Sequence, residues 1–473
     1  MNKAWLALTL LLAGCATQVP QALPTRLLPR TFTGPVPSEA QVWPDPHWWR
    51  GFGDAQLAAL VEQSQVDNRD LAIATARVMQ AEAQSTIQRS ALFPQISGQS
   101  NYQVGGCRGL SCQQFASGKA FGLQLNASYE LDFWGLARDN LRAAEEQLKA
   151  AHFARQSVAL IVTANVANQY LTVLSLRRRI VIADEYIAAI NSILDVIKLR
   201  VKAGATSHLD LAQEQAQIEA VQAQLPSLET LERESLYSLA VLLGRPPEGF
   251  DVASAELDAV QAPAVGAGLP SELLLRRPDV ALAEATLASA HANVDAARAA
   301  FLPQISLTGS GGFFSGAIGT LLQVSSSGYT YGAGLLQTIF DGGKLIGEKR
   351  LAEATQTQYI AAYQSAALNA YADVESALIE VSNTGRAENH LRNLIAAAQE
   401  AFEIAELQYR QGVADLIVVL QAQQTLFSGE DQLAQTVLAN RLAFIHLYEA
   451  LGGGWAEKPE ERTQLAVTVS IQP

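Results

Sequence analysis

Ala91-Leu92-Phe93-Pro94-Gln95-Ile96-Ser97 returns later in the chain as Ala300-Phe301-Leu302-Pro303-Gln304-Ile305-Ser306, with Pro94 and Pro303 offset by 209 positions. Four further matches follow at offsets of 207 to 209. Asn68-Arg69-Asp70-Leu71 matches Arg277-Pro278-Asp279-Val280, and Phe133-Trp134-Gly135 matches Phe340-Asp341-Gly342. Lys202-Ala203-Gly204 matches Arg410-Gln411-Gly412, and Leu243-Gly244 matches Leu451-Gly452. Five matches in order at a near-constant offset mark a duplicated domain. Solenoid arrays repeat every 20–50 residues or so, far more often than this.

Each copy predicts the same series of elements. A helix, 54–91 or 271–301, ends near the Phe-Pro or Leu-Pro pair, because proline disfavours helix at the residue before it. A strand pair follows. Phe121, Leu123, Leu125, Ala127, Tyr129, Leu131 and Phe133 alternate with Gly122, Gln124, Asn126, Ser128, Glu130 and Asp132. A period of two means one apolar and one polar face. Ile96 to Val104 is the expected partner, and Ile305–Gly311 with Tyr329–Ile339 take these places in the second copy. Then Leu136 to Ala203 runs without Gly or Pro, enough for a helix of roughly 100 Å at ~1.5 Å per residue. Lys344 to Gln411 matches it, interrupted only by Gly347 and Gly385. Gly204 and Gly412 mark turns, and return helices are expected at 206–243, broken or kinked by Pro226, and at 414–451. Leu141, Ala144, Leu148, Ala151, Val158 and Val162 form an imperfect seam that Arg155 and Asn165 interrupt.

The N-terminus carries a positive Met1-Asn2-Lys3, an apolar Ala4–Ala13, and Leu12-Ala13-Gly14-Cys15. The apolar run is too short to span a bilayer, which takes ~20 residues. Small residues directly before a cysteine predict a lipoprotein signal with lipidation at Cys15; an ordinary secretory signal is the alternative. Ala16 in place of Asp fits export to the outer membrane. Cys107 and Cys112 lie in a Gly-rich stretch where a local disulfide is expected, with two free thiols as the alternative. The net charge of −13 argues against nucleic acid as a partner. The six histidines are scattered without ligand spacing, so no metal site or cofactor is expected. No catalytic constellation and no phosphate loop is found, which points away from an enzyme.

Four amphipathic strands per chain are too few for a barrel, which needs ~8 to close. A closed barrel is also the only β-structure that can span a bilayer. Several chains must therefore share one. Physics leads this far, to a mainly α protein with transmembrane β-structure. At this point the chain resembles the TolC-like outer-membrane efflux factors, in the lipoprotein branch called NodT-type. The resemblance covers nearly the whole mature chain. It is carried by Trp48-Trp49-Arg50-Gly51-Phe52-Gly53-Asp54, Phe93-Pro94-Gln95-Ile96, Leu131-Asp132-Phe133-Trp134-Gly135, Leu242-Leu243-Gly244-Arg245-Pro246-Pro247, Leu275-Arg276-Arg277-Pro278-Asp279-Val280, Phe340-Asp341-Gly342-Gly343 and Tyr409-Arg410-Gln411-Gly412-Val413.

The resemblance implies a homotrimer with a 12-stranded barrel in outer-membrane lipid and a 12-helix coiled-coil tunnel reaching into the periplasm. It also implies a periplasmic adaptor (membrane fusion) protein and an inner-membrane pump, commonly of the resistance-nodulation-division type. The chain would be a passive, gated conduit that exports small toxic compounds or drugs. A type I protein-secretion conduit of the same fold, a periplasmic adaptor and a structural envelope lipoprotein are the alternatives. Docking turns are implied at Arg200, Lys202, Gly204, Thr206 and Ser207, and at Tyr409, Arg410 and Gly412. Simple turn chemistry and dipole-complementing helix ends are the plainer account of these residues. Relatives close the tip with an apolar ring and, one turn on, carboxylates and an arginine. The matching positions are Ile417, Gln421 and Gln424, so the charges are missing here. An apolar constriction with amide hydrogen bonds, helped by Asp210 or Asp415, is the expected gate. The expected organisation is a signal peptide at 1–14, a lipid-anchored extended segment at 15–53, the first repeat at 54–250, a linker at 251–270, the second repeat at 271–452 and a C-terminal equatorial or disordered tail at 453–473.

Overall fold

The computed structural model describes residues 29, 31–34, 45–105, 118–253, 256–262 and 276–453. Cys15, Cys107 and Cys112, and all but the first residue of the 453–473 tail, lie outside the described residues. After a 3-10 turn at Trp48–Phe52, the first copy runs α1 (Ala55–Asp67), α2 (Arg69–Ser90), β1 (Gln95–Gly105), β2 (Gly118–Leu131), α3 (Leu136–Lys202), α4 (His208–Gln222) and α5 (Leu225–Leu242). The second runs α6 (Pro278–Ala299), β3 (Gln304–Ser315), β4 (Ser327–Leu336), α7 (Lys344–Gln411) and α8 (Leu416–Ala450).

One helix expected to be continuous is broken, and the break expected near Pro226 is present. The 54–91 helix divides at Asn68, whose side-chain oxygen accepts from the Leu71 N–H at 3.0 Å and so starts a new helix. The 206–243 helix divides at 223–224, and Pro226 sits in the first turn of α5, where its missing N–H costs nothing. In the second copy α8 is unbroken.

The duplication has a physical basis at each join. Gly135 and Gly343 both adopt φ near +92° and cap α3 and α7. Asp132 accepts from the Ala137 and Arg138 N–H groups at 3.1 and 3.0 Å, and Asp341 accepts from Gly343 and Leu345 at 2.8 and 2.9 Å. Carboxylates thus satisfy orphan donors at both helix starts. At the other end, Asn68 donates to the Leu242 carbonyl at 2.8 Å, and Arg277 donates to the equivalent Ala450 carbonyl at 3.0 Å. One duty is performed by two different side chains.

The four strands form one antiparallel sheet in the order β1-β2-β3-β4. The β2–β3 pairing, with Leu125 opposite Gly311, ties the two copies together. The register places Ile96, Tyr102, Phe121, Leu123, Leu125, Tyr129, Leu307, Phe313, Tyr329, Tyr331 and Leu335 on one face of all four strands. Ser97, Gln99, Gln124, Asn126, Ser306, Thr308, Ser310 and Thr330 share the other. The apolar face is open: Leu125 is 62% exposed and Tyr331 85%. Within the chain, β1 and β4 each have one unpaired edge.

The largest core lies partway along the helices. Trp48, Trp49 and Phe52 are buried there with Tyr170, Leu171, Leu239, Leu243 and Tyr448. Trp48 stacks on Tyr448 at 5.0 Å, and the Tyr170 hydroxyl donates to Asp54 at 2.9 Å. Near the chain start, the Thr33 and Gly34 N–H groups donate to the Glu375 carboxylate at 2.7 and 2.8 Å, and Phe32 stacks on Tyr371. Arg155, which breaks the expected seam, donates to Thr75 of α2 at 3.0 Å. Among the described residues no helix is long and apolar enough to cross a membrane.

Candidate functional site

The helices end, far from the sheet, in two turns. At the first, α3 finishes with Arg200 and Lys202, and Gly204 adopts φ +70°. Ser207 caps α4 through a capping box with Asp210: the Ser207 side chain accepts from the Asp210 N–H, and the Asp210 carboxylate accepts from the Ser207 N–H, both at 3.3 Å. The Thr206 hydroxyl donates to the same carboxylate. Asp210 is therefore committed to holding its own turn. At the second, Gly412 ends α7 with φ +79°. Asp415 is the N-cap residue of α8, yet its side chain makes no capping bond.

Arg200 joins the two turns. Its guanidinium donates to the Tyr409 carbonyl at 2.8 Å and to the Arg410 carbonyl at 3.0 Å, and lies 4.6 Å from the Tyr409 ring centre. One side chain thus satisfies the last carbonyls of α7 and complements the negative end of that helix. Arg410 pairs with Glu406 at 2.6 Å within its own helix. Lys202 is exposed.

Ile417, Gln421 and Gln424 form an exposed stripe along α8 with spacings of four and three, as one helix face requires. The opposite face buries Leu416, Val419, Gln423 and Phe427. Gln424 is not isolated. Its side-chain oxygen accepts from Gln217 of α4 at 2.6 Å, and the Gln217 amide also donates to Tyr186 of α3 at 3.0 Å.

Behind this stripe lies a group that the motifs did not point to. Glu214 of α4 is fully buried, and neither of its carboxylate oxygens has a hydrogen-bond partner among the described residues. Burial alone pushes its carboxyl up to about 7. Gln423 is 1% exposed with both side-chain polar atoms unpartnered, and the buried Tyr409 hydroxyl is likewise unpartnered. Glu214 and Gln423 sit between two apolar clusters. One holds Tyr186, Ile190, Ile218, Val221 and Phe427; the other holds Ile193, Ile197, Ala405, Tyr409, Leu416 and Val419. Glu214 lies one turn before Ile218, and Gln423 lies one turn after Val419 and one before Phe427. A polar layer thus interrupts the apolar packing. The signal was in the sequence: Leu211, Glu214, Ile218 and Val221 share one helical row, so Glu214 is a carboxylate on an inward face.

The family model described as outer membrane efflux protein matches residues 60–245 and 269–453, the two copies of the repeat. The chain is 36% identical over 96% of its length to the pyoverdine export outer membrane protein OpmQ of Pseudomonas putida, covering 98% of that protein. It is 30% identical over 98% of its length to the toluene efflux pump outer membrane protein TtgC of Pseudomonas putida, covering 99% of it. Among solved structures, the open state of the Neisseria gonorrhoeae MtrE outer membrane channel superposes with a TM-score of 0.83 at 28% identity, covering 90% of this chain and 96% of that one. Helices of this length, a sheet with one apolar and one polar face, and a family model that covers both repeats all agree: the chain belongs to the outer membrane efflux protein family.

Proposed function

We propose that three copies of this chain form a lipid-anchored duct, a passive and gated conduit that carries small compounds from an inner-membrane pump and its periplasmic adaptor to the cell exterior. The single observation that carries the reading is the sheet. Its four strands share one exposed apolar face and leave two edges unpaired, and open edges do not persist in lipid. Pairing β1 of one copy with β4 of the next closes a 12-stranded barrel with Tyr329, Tyr331 and Leu125 toward lipid and Gln124, Asn126 and Thr308 toward the lumen. The helices α3 and α7 leave β2 and β4 across capped turns, so the barrel continues directly into a helical tunnel. Cys15 supplies the lipid anchor and the 15–53 segment the tether. Cys107 and Cys112 pair in the loop between β1 and β2.

The cargo is of the small-molecule class. Two relatives of similar length are named for a pyoverdine and for toluene, so one duct fold serves chemically unlike cargoes and the pump does the selecting. A pump of the resistance-nodulation-division type fits this role. The turns at Arg200, Lys202, Gly204 and Ser207, and at Tyr409, Arg410 and Gly412, dock the adaptor. Ile417, Gln421 and Gln424 face the lumen and form the constriction, with Asp415 at its rim; Asp210 acts only by holding the first turn.

Purified protein is expected to run as a heat-modifiable trimer and to conduct in planar bilayers; a monomer without conductance would reject the duct. Ile417→Ala is expected to raise single-channel conductance on the order of twofold or more, since apolar constrictions gate by excluding water. An unchanged conductance would remove Ile417 from the gate.

A further inference from the structure

We propose that Glu214 is a proton-controlled latch for the periplasmic end: as the neutral acid it stays in the buried polar layer and keeps α4 seated on α3, and on ionisation it leaves that layer and unseats α4. Its role in gating rests on the duct reading above; its effect on packing does not.

The geometry carries the proposal. A fully buried carboxylate that lacks any hydrogen-bond donor is stable only in its neutral form, and Glu214 has none among the described residues. The facing groups do not change this. From α3 comes the Tyr186 phenol, whose oxygen is taken by Gln217. From α7 comes the Tyr409 phenol. Both phenols are held above their usual range, chiefly by burial and in part by the Glu214 charge, which places them beside it. From α8 come the uncharged Gln423 and Gln424. Asp210, on α4 itself, is occupied by Ser207 and Thr206. Of the cations at this end, Arg200 is turned to the Tyr409 ring and to the 409 and 410 carbonyls, Arg410 is paired with Glu406, and Lys202 is exposed.

Coupling to the lumen runs through one bond. Gln217 lies one turn after Glu214 on α4 and holds Gln424 of the exposed stripe at 2.6 Å. Moving α4 withdraws that hold from the residues proposed to line the constriction.

The sign follows from linkage. With α4 unseated, Glu214 meets water and ionises near its ordinary 4.5; seated, it ionises near 7. Below 4.5 the acid is neutral in both states and α4 is favoured in place. As pH rises from 4.5 to 7 only the unseated form gains by ionising, so seating weakens across that window and stays weakened above it. The end is tight in acid and loose at neutral pH. Other acids near the helices, such as Glu430 and Glu449, are also raised by burial, so the substitution at 214 isolates the latch.

Amide hydrogen exchange on the full trimer, corrected for intrinsic pH dependence, reads the seating directly. Between pH 7.5 and 5.5, protection across residues 208–222 is expected to rise about twenty-fold in the wild type. Glu214→Gln and Glu214→Leu, which fill the layer without a titrating proton, are expected to stay protected at both. Equal protection in the wild type at the two pH values, or the same pH change persisting in Glu214→Gln, overturns the latch. In planar bilayers the wild-type open fraction is expected to rise toward pH 7.5 while Glu214→Gln stays low. A wild-type open fraction that does not follow the exchange data overturns its link to gating. A trimer that shows the exchange change but never conducts counts against the duct and leaves the latch in place.

Discussion

Gly244→Ala is expected to destabilise the folded chain by about 2–4 kcal/mol, and Gly452→Ala by a similar amount. Both glycines follow the last turn of a return helix with positive φ, +67° and +90°. A side chain there is strained, and it also has nowhere to go. A Cβ on Gly244 would stand 2.3 Å from the Asp67 carbonyl oxygen, and one on Gly452 would stand 2.6 Å from the Arg276 carbonyl oxygen. Backbone cannot yield as a flexible side chain does. These are equivalent contacts in the two copies, each just before the helix, α2 or α6, that leads into the first strand of its repeat. Gly204 supplies the control. Its φ is +70°, but nothing lies within 4 Å of an added Cβ, so Gly204→Ala should cost only about 1 kcal/mol. Denaturant titration of the three variants, with the heat-modifiable trimer band as a second readout, checks the ranking. Equal costs at 204 and 244 would show that the backbone contact is not felt.

Arg200→Ala is expected to loosen the periplasmic end more than truncation of any exposed side chain there. It removes two charge-assisted hydrogen bonds that hold the end of α7 to the end of α3, together with the contact on the Tyr409 ring. Hydrogen bonds to charged groups are worth about 1.5–3 kcal/mol each, and this partly exposed site lies at the low end of that range. Because the two bonds share one partly exposed guanidinium and are not additive, a net loss of about 2 kcal/mol per chain is expected, on the order of 30-fold in each chain's closed-to-open ratio. Single-channel recording should show a larger open fraction in Arg200→Ala, with Arg200→Lys intermediate, since an ammonium cannot reproduce the planar fork. Lys202→Ala, at an exposed position two residues away, should leave the open fraction unchanged while it weakens adaptor binding if the turn docks that partner.

Much of this architecture is legible in the chain itself because its decisive signals are local and repeated. The alternation from Phe121 to Leu131 and the long runs without Gly or Pro need no tertiary information. The break at 223–224 is announced by Pro226, but the one at Asn68 was less visible: an asparagine mid-run is ambiguous until its side chain is seen capping Leu71 and reaching Leu242. At the tip, motif matching led to Ile417, Gln421 and Gln424, which do share a face. It also suggested Asp210 as a gate charge, whereas that carboxylate closes its own capping box. Glu214 was missed because it belongs to no motif. What marks it is the burial of a whole helical row, which depends on how α4 lies against α3.

The stacking of Trp48 on Tyr448 bears on how such a chain is made. These rings belong to the first and last folded elements, and the β2–β3 pairing likewise waits for residues far downstream. Export delivers the N-terminal half first. That half can already pack Trp48 against Tyr170 and Leu239 and pair β1 with β2, but it carries an apolar strand face and an open β2 edge whose partners, β3 and Tyr448, come later. Contacts this distant in sequence form slowly, and unpaired edges invite aggregation in the interval. Completion of the core and of the sheet therefore waits on the last helix and the second strand pair, so the early half stays open to wrong pairings until Tyr448 is present.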